Sequence, residues 1–224
     1  MHDHERQASD SLAIGLILAL SAGCQDAYTY VMRGKIFANA QTGNIIMMSQ
    51  CIVLGDWHDV LRYALPIVAF GAGIFFTEQV GGNLKQLSSI HWRQIIVILK
   101  IAILFLVGLL PKEYNVVASL MVSVVCALQV QAFRHAGGNV YVTTMCVGNL
   151  RSGTAALSEF CRTGDKQKLK RAGFYYTIIL AFASGAAMSM FFATFFAMKT
   201  IWISCALLFV SFFLMMPRKS RDKI

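Results

Sequence analysis

Charged side chains are scarce in this chain, at 14% of its 224 residues. A soluble domain carries about a quarter. The acidic ones are the scarcer, with 11 Asp and Glu against 20 Lys and Arg. The sequence lacks HExxH, GxSxG, a phosphate-binding loop and any dense carboxylate pair, and His91 and His135 have no nucleophile beside them. No enzyme activity, catalytic residue, metal or cofactor is therefore expected. The six cysteines, Cys24, Cys51, Cys126, Cys146, Cys161 and Cys205, form no CxxC pair and fall mostly in apolar stretches. They read as small packing residues. The opening residues MHDHERQASDS have no basic start, so they do not read as a signal peptide. His2 and His4 read as part of a frayed tail rather than a metal site.

What fills the sequence instead is apolar. Hydrophobic residues make up 57%, with a mean hydropathy of +0.59. This composition predicts an all-α, polytopic transmembrane bundle. Eight apolar segments fall near residues 12–32, 36–54, 62–82, 94–111, 115–136, 140–160, 172–196 and 199–216. The second and sixth are short and interrupted by Gly and Asn. The net charge of +9 comes from bases in short loops and the C-terminal tail, without aromatic residues between them. That pattern fits positive-inside topology and argues against nucleic-acid binding. Both termini are expected in the cytoplasm, with residues 1–11 and 217–224 as tails.

Shifting the chain by 105 residues places Asp26 on Gln131, Tyr28 on Phe133, and Thr42-Gly43-Asn44 on Val147-Gly148-Asn149. A Gly-Asp pair follows in each half, Gly55-Asp56 and Gly164-Asp165, before two long apolar segments. Two related repeats of about four segments each are expected, over 12–111 and 112–216. If segments two and six cross fully, the halves are parallel and the spans number eight. If they are re-entrant or broken, the halves are inverted and the spans number six. The Lys and Arg distribution obeys the positive-inside rule both ways.

In hydrocarbon a helix breaks only where protein or a water-filled cavity satisfies its free backbone groups. Gly43 offers positive φ, and Thr42 and Asn44 offer hydrogen bonds. A helix starting near Asn44 would aim its positive end at the break. Paired broken helices in two repeats mark many transporter sites. The alternative is that TGN caps an ordinary helix at the membrane surface. Thr42, Gly43, Asn44, Gly148, Asn149 and Gln131 are the candidate solute-binding residues. Asp26 and Arg151 are the candidate charge or coupling pair, although each also reads as interfacial. Glu78, Glu159 and Lys100 read as interfacial or snorkelling. Gly71, Gly73, Ala183, Gly185 and Ala186 read as close-packing positions.

The stretches GCQDAYTY and GKIFANAQTGN (within residues 23–44), with LQVQAFRHAGG and VTTMCVGNL (within 128–150), resemble the YoaK-like bacterial membrane proteins. That group has no established activity. Gln131 stands where its pattern has Asn, and Val147 where it has Thr. The resemblance implies an integral protein of the bacterial inner membrane. The residues point to a transporter of a small polar or anionic solute. A passive channel is the first rival, and a non-transporting membrane partner or regulator, using the basic loop Lys166–Arg171, is the second. The expected partners are the lipid bilayer and the solute; a homo-oligomer is left open.

Overall fold

A computed structural model describes residues 11–84, 92–136 and 138–216. His2, His4, His91 and both tails proper lie outside these residues. The described helices are α1 Leu12–Met32, α2 Gln41–Leu54, α3 Trp57–Leu84, α4 Trp92–Leu109, α5 Asn115–Ala132, α6 Cys146–Thr163, α7 Lys166–Phe196 and α8 Trp202–Leu214. The fold is all-α apart from one small hairpin, β1 His135–Ala136 against β2 Asn139–Val140.

Among the described residues, five stretches are long and apolar enough to cross a bilayer: Leu12–Met32, Trp57–Gln79, Trp92–Leu109, Lys112–Ala132 and Lys166–Leu214. The last holds both α7 and α8. Neither α2 nor α6 qualifies. With 14 residues, α2 is about 21 Å long, against a hydrocarbon core of about 30 Å. α6 has 18 residues but carries Asn149, Arg151, Ser152, Glu159 and Arg162.

The two Gly-Asp turns work alike. Gly55 (φ 73°) and Gly164 (φ 68°) end α2 and α6 in the left-handed region, where a side chain would be strained. Asp165 then caps α7 by accepting from Gln167 N at 2.8 Å, and Asp56 accepts from Asp59 N at 3.2 Å at the start of α3. A carboxylate there satisfies free N–H groups and faces the positive helix end.

α1 lies at the centre. Its Gly23 meets the Phe182 carbonyl of α7, and Gly185 of α7 meets the Leu20 carbonyl; a Cβ at either glycine would lie 1.9 Å from that oxygen. The helix directions follow from contacts at both ends. α1 and α7 run parallel: Ala19 packs with Tyr175 and Ile178, and further along Tyr28 Oη donates to Met198 O at 3.0 Å. α3 and α5 also run parallel, with Gly73 against Val124 and Ala127, and Glu78 3.7 Å from Arg134. α1 and α5 run antiparallel. Gln129 Nε2 donates to Leu18 O at 3.0 Å, whereas Arg33, just past α1, reaches Asn115 Oδ1 at 3.3 Å at the start of α5.

Arg33 is fully buried. Its guanidinium donates to Val107 O and Leu110 O at 2.8 Å, to Pro111 O at 3.1 Å and to Tyr28 Oη at 2.8 Å. It thereby caps the C-terminus of α4, where free carbonyls and the negative helix end favour a cation.

Candidate functional site

After α1 the chain reverses at Gly34 (φ 90°) and Lys35 (φ 61°) and runs back along the helix. Asp26 Oδ1 accepts from Ala38 N at 2.8 Å and from Asn39 N at 3.0 Å. Asn39 Nδ2 donates to Ala22 O at 3.2 Å. Ala22 precedes Met32 by about 15 Å of helix axis, so α2 begins beside the middle of α1. It then returns towards the end of α1. Arg62, early in α3, donates to Gly34 O, and Cys51 packs with Ile36 and Tyr63.

The second half repeats the device. The stretch after α5 folds back through the hairpin, and Thr143 Oγ1 accepts from Gln129 Nε2 at 2.9 Å. α6 starts at Cys146 and packs on α7, with Gly153 against Tyr175 and Ala172. Tyr175 Oη, early in α7, donates to Val140 O at 2.9 Å.

Asn44 and Asn149 hold these turns shut. Asn44 Oδ1 accepts from Phe37 N at 3.0 Å, while its Nδ2 donates to Phe37 O at 2.7 Å and Gln41 Oε1 at 2.8 Å. Asn149 does the same to Val142, accepting at 3.4 Å and donating at 2.7 Å. Each amide stands in for a missing strand partner, seven residues back. Their polar atoms therefore face their own loops. Gly43 has no positive φ, contrary to the expectation; it is needed because a Cβ would lie 2.7 Å from the Phe37 ring. Thr42 is exposed in the first turn of α2, and Gly148 is exposed in that of α6.

Gln131 does not occupy the place of Asp26. It sits half-buried in the last turn of α5 and accepts from Arg134. Arg151 forms no ion pair with Asp26. It is exposed and lines a 480 Å³ cavity with Gly148, Asn149, Ser152, Glu159 and Arg171. Glu159 pairs with Lys168 at 2.7 Å.

A second buried cation lies in α4. Lys100 is fully buried and donates to Gln129 Oε1. It does not snorkel as expected, because it is the ninth residue of an 18-residue helix. Both helix ends are about 12 Å away along the axis, beyond a four-carbon stem. A lysine at such a depth costs about 3 kcal/mol, so its retention needs a reason. Cys126, one turn before Gln129, donates to Gln25 Oε1 at 3.4 Å. Asp26 and Lys100 both lie within electrostatic range of Cys126, and Asp26 within that of Cys146 at the head of α6. Asn39 Oδ1, Thr144 Oγ1 and Ser123 Oγ are buried without a hydrogen-bond partner. Asn39 and Thr144 are equivalent under the shift of 105.

Sequence reasoning did not select Lys100, Gln129, Arg33 or Thr144. The signal for Lys100 was its central place in an apolar run. Asp56, His58 and Asp59 lie close together at the α2–α3 turn, but their polar atoms serve the α3 N-terminus and Arg62.

Long apolar helices around a buried polar centre define an integral membrane protein. The chain belongs to the family described as protein of unknown function DUF1275, whose model matches residues 14–214. No curated protein and no solved structure matches the chain.

Proposed function

We propose that the protein transports a small polar or anionic solute, and that residues 12–111 and 112–216 form two inverted units in a bacterial cytoplasmic membrane. The observation that carries this reading is the start of α2: Asn39 lies against Ala22, the middle of α1. The polar turns ahead of α2 and α6 are then deep re-entrant breaks, with the half-helices returning to the face they left. In hydrocarbon such turns persist only around a protein-lined cavity or pathway.

Several packing relations support inversion. α1 pairs with α7 as α3 pairs with α5, α2 with α3 as α6 with α7, and α1 with α8 as α4 with α5. The antiparallel run of α1 and α5 fits six crossings, since eight would make them parallel. Arg33, Lys35, Arg62, Lys112 and Lys199 then lie on one face and Lys100 at mid-depth. The other described Lys and Arg lie on the opposite face, which is cytoplasmic by the positive-inside rule. The likeness of residues 23–44 to YoaK-like proteins supports the bacterial placement.

The solute site is the polar centre between the two breaks. Asn44 and Asn149 shape it by holding the turns, Gly43 by seating the Phe37 ring, and Asp26 sets its charge. Arg151 and Arg171 form its cytoplasmic vestibule. Proteoliposome flux is the test. Asn44→Leu and Asn149→Leu each reduce flux at least tenfold on this reading; unchanged flux in both variants refutes it. Uphill accumulation on a proton gradient separates a transporter from a passive channel.

A further inference from the structure

We propose that Lys100 receives the charge of the solute, and that the solute is a compact carboxylate carrying a hydroxyl or amino donor. This rests on the site of the transporter reading and names its ligand class. The Lys100 ammonium has three donors, of which one is placed, on Gln129 Oε1. Among the described residues it forms no ion pair with a carboxylate. The nearby Asp26 spends Oδ1 on Ala38 N and Asn39 N. Gln129 is held from behind by Leu18 O and Thr143 Oγ1, so its carbonyl stays aimed at Lys100.

The segment beside Gln129 supplies a further donor. Thr144 Oγ1 is buried and unpartnered. Thr144 follows the Thr143 that binds Gln129, and it lies two residues before the positive end of α6. A cation, a free hydroxyl and a helix N-terminus call for an anion. Asn39 Oδ1 is a buried acceptor without a donor. It lies beyond Cys126, one turn of α5 from Gln129. A hydroxyl or amino group on the anion would fill it. An anion without such a donor, chloride for example, leaves it empty.

The test uses the purified full chain in detergent, with sodium glycolate and sodium propionate as probes. They are near-isosteric and differ by a hydroxyl for a methyl. Glycolate at 10 mM is expected to raise the melting temperature by several degrees over equal sodium chloride, and propionate by less. Lys100→Gln is expected to abolish the shift and Lys100→Arg to keep part of it, which controls for a variant that folds poorly. No shift with either salt, or an undiminished shift in Lys100→Gln, overturns the proposal. Equal shifts for both salts overturn the donor assignment. A Lys100-dependent shift without proteoliposome flux leaves the binding site standing and removes transport. Flux that survives Lys100→Gln removes this site and leaves transport.

Discussion

The Asn39 amide donates to the Ala22 carbonyl across 3.2 Å, and Ala22 is the middle residue of α1. That contact brings the loop beyond α1 about 15 Å back along the helix. The Asp26 carboxylate makes the reversal affordable in an apolar setting, since it accepts the Ala38 and Asn39 N–H groups. Unpaired, each would cost about 1–3 kcal/mol.

Asp26→Asn keeps an oxygen for the Ala38 and Asn39 N–H groups, removes the charge and puts an NH2 donor in place of the second carboxylate oxygen. Its stability is expected within about 1 kcal/mol of wild type by chemical denaturation. Asp26→Leu strands both donors and is expected to cost about 2–6 kcal/mol. If Asp26 couples transport to protons, Asp26→Asn loses accumulation and keeps downhill flux.

Arg33 ties α1 to the C-terminus of α4 through three carbonyls. Arg33→Leu is expected to cost at least about 3 kcal/mol, because charge-assisted bonds are lost and the carbonyls are left bare. Arg33→Lys is expected to fall between, since one ammonium cannot span the fan of acceptors. Melting in detergent checks the order.

The α1–α7 crossing depends on having no Cβ. Gly23→Leu and Gly185→Leu each drive a side chain into a carbonyl 1.9 Å away. Both are expected to abolish folding or lower the melting temperature by more than about 10 °C. Gly71→Ala meets nothing within 4 Å and is expected to be silent by the same melt.

Much of this was legible in the sequence. The paired GN turns, the Gly-Asp corners and Gly73 and Gly185 as packing points were all visible as spacing. Two matters were not. The shift of 105 puts Gln131 on Asp26, but α5 stops at Ala132, five residues short of the position equivalent to Met32. The hairpin replaces those turns, so Gln131 ends beside Arg134 and Gln129 meets Thr143 instead. Spacing also cannot show which way an amide faces. Asn44 and Asn149 carry the right chemistry for a solute, yet each spends it on the backbone seven residues back. Lys100 does not snorkel because α4 starts at Trp92, two residues before the apolar run, which moves Lys100 further from the helix end.

Sidedness of the two Gly-Asp corners tests the account most directly. Single cysteines at Asp59 and Asp165, in a cysteine-free background, are labelled in intact cells with a membrane-impermeant maleimide. Inverted units with re-entrant α2 and α6 predict labelling of Asp59→Cys from outside and of Asp165→Cys only after lysis. Labelling of both from the same side would contradict the account.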